Sequence, residues 1–102
     1  MIKESVGILV FTSQETLDHK KKDGSVYWET SRMPKKFEDA FDNENVELRI
    51  YMAIKGKVKG YFIIEDIASR DRIELDFHSS SWHPIENGEQ LKPSQGWRYY
   101  PR

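Results

Sequence analysis

The chain contains no cysteine. That absence removes disulfide scaffolds, thiolate zinc sites, thiol nucleophiles and redox motifs together. No run approaches the roughly eighteen consecutive apolar residues that a membrane-crossing helix needs, so no membrane partner is expected. Met1 to Ser13 lacks the basic start and small-residue cleavage site of a secretory leader, so the expected location is cytoplasmic. Charge of one sign is also missing in bulk: sixteen Lys and Arg stand against seventeen Asp and Glu, a net of −1. The chain is therefore no polycation that coats nucleic acid along its whole length.

What is present fits one domain over residues 1–102. At 102 residues, with 37% hydrophobic, 13% aromatic and 32% charged side chains, the chain can bury a real core without covalent staples. The charges are segregated. Lys20, Lys21, Lys22, Arg32, Lys35 and Lys36 form one basic block, Lys55, Lys57 and Lys59 a second, and Lys92, Arg98 and Arg102 a third, while acids gather at 38–47 and 65–89. Basic blocks beside aromatics permit a local anion-binding face; the plain alternative is ordinary mixed surface.

Hydrophobic spacing orders the elements. Ser5 to Thr12 is an apolar, β-branched strand, and Ser13 is a helix N-cap ahead of a brief helix that the Asp23-Gly24 turn must stop. Ser25 to Arg32 reads as a strand or an ordered loop. Pro34 to Phe41 is a short helix, with Phe37, Ala40 and Phe41 at helical spacing. In Val46 to Ile54 apolar residues alternate with others, and Lys55-Gly56 turns the chain into Val58 to Ile67, so the two form an antiparallel hairpin. Gly60 marks a bulge or a close approach. Ile73, Leu75 and Phe77 define a third strand after a turn at 69–72, and Trp97 to Tyr100 a short last one. The fold class is then α+β: a small, mostly antiparallel β-barrel with one or two short helices. Its core should include Ile50, Met52, Phe62 and Ile64, with Trp97 buried.

Three stretches resemble the PUA-like superfamily, in its ASCH and EVE branches: GILVFTS leading to Tyr27-Trp28 and Arg32, the run from Arg49 to Ile67, and the closing segment with Trp82, Pro84 and Trp97-Arg98-Tyr99. The likeness spans most of the chain. It implies a PUA-like barrel that accepts RNA, or a modified base or nucleotide, in a cleft. The ASCH glycine–lysine–glutamate–arginine pattern is only half kept. Gly24 and Glu29 match, but the lysine position holds Val26 and Arg32 comes one residue late. A catalytic lysine therefore has no counterpart, and Glu29 stands as the lone acid–base candidate.

Aromatic rings stack bases while Lys and Arg hold phosphates. Lys21, Tyr27, Trp28, Arg32, Lys35, Lys57, Ser80, Trp82 and His83 are the candidate ligand-binding residues, with Arg32, Lys35 and Lys57 on one basic face beside an exposed Trp28 or Trp82. The opposing reading places these rings at the ends of a small core. His19, His78 and His83 have no metal-ligand spacing, and Ser79–Ser81 sit in no nucleophile elbow, so no metal and no cofactor are expected. The expected function is a binding module for RNA or a modified nucleotide. The alternatives are a small ASCH-like hydrolase that uses Glu29 with one of Lys20–Lys22, and a protein-interaction domain with no nucleotide ligand.

Overall fold

The computed structural model describes residues 4–69 and 71–101. Met1–Lys3, Arg70 of the expected turn and Arg102 of the last basic block lie outside them. In chain order the elements are β1 (Glu4–Thr12), α1 (Gln14–Lys20), β2 (Ser25–Thr30), α2 (Lys35–Ala40), β3 (Val46–Ile54), β4 (Lys57–Ser69), β5 (Ile73–His78), a 3-10 turn (Ser79–Ser81), β6 (His83–Pro84) and β7 (Trp97–Tyr99). Ser13 caps α1, its hydroxyl oxygen accepting the Thr16 N–H at 3.2 Å. Pro34 stands at the N-cap of α2, one position before the first helical residue.

The strands form one curled sheet in the order β2-β5-β4-β3-β1-β7, with β6 added to β4. The expected hairpin is β3–β4. Lys55 and Gly56 both have positive φ, at 52° and 82°, which is the backbone of the tight turn that matches strand twist. The hairpin register shifts at Met52/Ala53 and resumes at Gly60. A Cβ on Gly60 would lie 2.4 Å from the His83 carbonyl oxygen and 2.7 Å from the Trp82 ring, so close approach explains the glycine. The β3-β4-β5 meander is antiparallel, whereas β1 and β3 pair in parallel across the whole of β1.

Curling gives the sheet two buried faces. Inside lie Ile8, Val10, Leu48, Ile50, Met52, Phe62, Ile64, Leu75 and Phe77, closed off by Leu17 of α1 and Phe37 of α2. Each such side chain contributes about 1.5–3 kcal/mol through burial. Ile50, Met52, Phe62 and Ile64 are all in this core, as alternation requires. A second cluster covers the outside of β1, β3 and β4: Leu9, Tyr51, Ala53 and Val58, shielded by Ile85, Leu91 and Tyr100.

Trp97 departs from expectation. It is half-buried, as are Trp28 and Trp82, and all three pack against the rim of the inner core. The reason is its place on β7, one edge of the sheet, where no further strand covers it. No helix among the described residues is long and apolar enough to cross a membrane.

Candidate functional site

The sheet has two free edges, β2 and β7, and curling brings them face to face. On β2, Val26 and Trp28 turn toward the core while Tyr27 and Glu29 face outward. Past Thr30 the chain swings Arg32 over β7. The Arg32 guanidinium lies 4.3 Å from the Trp97 ring centroid, and the Trp97 indole N–H donates to the Arg32 carbonyl at 3.1 Å. One residue pair thus fastens the seam twice. Beside it, Lys36 Nζ lies 4.6 Å over the Tyr99 ring, and the Lys36 backbone N–H donates to the Tyr99 hydroxyl at 3.2 Å. Trp97 and Tyr99 meet edge to face at 5.1 Å.

Two clefts open along this seam. One, of about 550 Å³, is lined by Phe11, Trp28, Glu29, Arg72, Gln95 and Trp97 among others. The other, of about 380 Å³, is lined by Arg32, Met33, Lys35, Trp97, Arg98 and Tyr99. Cations outnumber acids here. Glu29 is held by Arg72 at 3.5 Å and Asp39 by Lys35 at 3.6 Å, both in exposed pairs worth little to stability.

A second group sits around the 3-10 turn. Lys21 Nζ lies 5.5 Å over Trp82, whose ring packs on Phe62 at 4.8 Å. His83 stacks flat on Tyr61 at 4.9 Å, and its Nδ1–H donates to the Ser81 carbonyl at 2.7 Å, leaving Nε2 with the lone pair in the neutral ring. The Arg49 guanidinium also lies over Tyr61, 4.3 Å from the ring centroid. Burial opposes the Arg49 charge, but hydrogen bonds to Tyr51 and Glu47 outweigh it and push its pKa up.

The serines are fasteners. Ser79 Oγ accepts the Gly24 N–H at 3.1 Å, and Ser81 Oγ accepts the Ile63 N–H at 3.1 Å and donates to the His78 carbonyl. Ser80 Oγ lies 2.7 Å from His78 Nδ1, a nitrogen that also accepts the Ser80 backbone N–H at 3.0 Å. These bonds tie β5, β4 and the β2 entry together.

The candidate residues therefore separate. Trp28, Arg32 and Lys35 gather along the seam, with Glu29. Lys21, Ser80, Trp82 and His83 gather at the 3-10 turn. Tyr27 is 49% exposed on the outside of β2. Lys57 joins neither group; it belongs to the β3–β4 hairpin, bridged to Gln90. Among the described residues no lysine lines the cleft that holds Glu29, so Glu29 and Lys20–Lys22 do not form an acid–base pair there. Lys20 instead donates to the Tyr27 carbonyl and lies 5.6 Å over Trp28; burial lowers its pKa, partly countered by Asp23. Among the described residues, no three His, Asp or Glu side chains come together as a metal site.

Sequence reasoning missed Lys36, Arg72, Gln95, Arg98 and the seam role of Trp97. The alternation of Trp97 and Tyr99 was a usable signal, because it puts two rings on one side of a short strand. No protein-family model, curated protein or solved structure matches this chain.

Proposed function

We propose that the β2–β7 seam binds single-stranded RNA or a modified base, and that the domain is a PUA-like binding module with no catalytic step of its own. The observation that carries this reading is the Arg32–Trp97 pair at the mouth of the clefts. An arginine already stacked on an indole presents a flat, cationic platform, on which a base stacks while Lys35, Lys36 and Arg98 meet phosphates. The cleft has room for a planar ring, and Glu29, Gln95 and Arg72 offer acceptors and donors for its edge. A hydrolase reading gains no support, since among the described residues no lysine lines the cleft that holds Glu29.

The test is a fluorescence titration with short RNA oligomers at two salt concentrations. Lys35→Ala should weaken binding to all sequences alike and flatten the salt slope by about one unit, whereas Arg32→Ala and Trp28→Ala should each cost about 1–3 kcal/mol. Lys57→Ala serves as the distant comparison. Binding that ignores Arg32 and Trp28 places the site elsewhere. Absence of binding at low salt to RNA, DNA and free modified nucleosides favours a protein-interaction domain.

A further inference from the structure

Away from the seam, the sheet forks. β3 and β4 pair from Ile54↔Lys57 to Arg49↔Ile63 and no further. Beyond that point residues 46–48 of β3 pair only with β1, and residues 64–69 of β4 only with β5. The cause is the irregularity between Ile64 and Asp66, which leaves Glu65 without an opposite residue and bends β4 away. The fork holds an opening of about 660 Å³, with Val46, Leu48, Ile63 and Ile64 along its strands and Phe41 beside them. Phe41, just past α2, is 41% exposed, one of two large apolar side chains so exposed among the described residues.

Three features say what fits there. Glu44 and Glu65 stand on the rim, Glu47 beside them is paired with Arg49 at 2.6 Å, and among the described residues no Lys, Arg or His lines the opening. Two diverging strands leave a sheet edge between them, the geometry that accepts an added strand. The loop that carries Glu44 is pinned before any partner arrives: the Asn43 side chain accepts the Asn45 N–H at 2.9 Å, the Asn45 carbonyl accepts the Glu4 N–H at 3.1 Å, and the Asn43 carbonyl accepts the Val46 N–H at 3.0 Å. Such a rim loses little freedom on binding. Farther along β4 the Asp66 carboxylate accepts the Ile67 N–H at 2.9 Å, which occupies the edge and keeps the added segment short.

We propose that this fork docks a short, extended, basic segment of a partner protein, with lysine or arginine against Glu44 and Glu65 and an apolar residue against Phe41. The proposal stands apart from the RNA reading, because an acidic opening repels phosphate. The probe is a fluorescein-labelled heptapeptide alternating arginine with leucine, followed by anisotropy, with an all-arginine and a glutamate–leucine heptapeptide beside it. The alternating basic peptide should bind best. Phe41→Ala and Glu65→Lys should each weaken it about tenfold, as expected for anchor residues, while the melting temperature and the RNA titration stay unchanged. Glu38→Lys, an exposed acid on α2 that does not line the opening, should leave peptide binding intact. Equal binding of the all-arginine peptide, indifference to Phe41→Ala and Glu65→Lys, or no binding at low salt overturns the proposal.

Discussion

Trp97 and Arg32 hold each other by two unlike contacts: the indole N–H donates to the arginine's backbone carbonyl, and the arginine's guanidinium covers the same indole. The two residues are 65 positions apart, and they join the segment after β2 to β7. A curled sheet whose edges are not laddered needs such a clasp. Here the clasp is built from groups that also suit base stacking, which couples the closure of the sheet to the proposed site.

Trp97→Phe separates the two contacts. It keeps a ring under Arg32 but removes the donor, leaving the Arg32 carbonyl to water. Loss of one partly exposed hydrogen bond should cost about 0.5–1.5 kcal/mol, read by urea denaturation. A variant as stable as wild type would mean that the guanidinium stack alone keeps the seam shut.

Phe62 lies at the centre of the inner core, fully buried, 4.6 Å from the Phe77 ring and 4.8 Å from Trp82. Phe62→Ala should cost about 3–5 kcal/mol, a large share of the stability of a domain this small. Thermal unfolding followed by circular dichroism checks it. An unchanged midpoint would move the core to the other face of β4.

Much of the fold was legible because local chemistry and tertiary packing agree there. Alternation along β3 and the Lys55-Gly56 turn set the hairpin and its core face before any long-range contact is considered. The parallel β1–β3 pair was not legible, because it joins strands across a helix, a strand and a second helix. The outer cluster was hidden for a similar reason: Leu9, Tyr51 and Val58 look like solvent-side positions until residues 85–91 and Tyr100 cover them. At the site, Arg32 and Lys35 are neighbours in sequence and stay neighbours in space. Trp28 and Trp82 were expected around one cleft, but β5 and the serine-fastened turn set them apart. Their separation depends on sheet order, which no local pattern encodes.

Gly7 tests the outer cluster. A Cβ there would lie 2.4 Å from the Tyr100 carbonyl oxygen and 2.6 Å from the Tyr51 ring, the first a backbone atom and the second a buried side chain. Tyr51 is itself wedged between Tyr61 at 5.1 Å and Tyr100 at 4.9 Å. Gly7→Ala should therefore overpack this row and cost about 1–3 kcal/mol, despite the better strand propensity of alanine. Equilibrium denaturation measures the cost. A neutral or stabilising result would show that the row shifts freely and that residues 85–91 cover it only loosely.

Lys20 supplies the pH-dependent prediction. Burial lowers its pKa below the ordinary lysine value of 10.5, and Asp23 offsets only part of that. In the window between the folded and unfolded values, the unfolded chain binds more protons than the folded one, so stability rises with pH. Below the window the ammonium is charged in both states and the full cost of burying it is felt. Above the ordinary value it is neutral in both, and the cost is gone. Tyr100 acts in the opposite sense, since burial and then Glu89 raise its pKa; the stability it lends is lost as pH climbs through its folded value. The clean observable is therefore a difference. Relative to Lys20→Met, which keeps most of the stem and deletes the charge, wild type should gain stability as the pH is raised toward 10.5, measured by urea denaturation at a series of pH values. A difference that stays flat, or that moves in favour of Lys20→Met on raising the pH, would mean that the Tyr27 carbonyl and the Trp28 ring fully compensate the ammonium for the water it has lost.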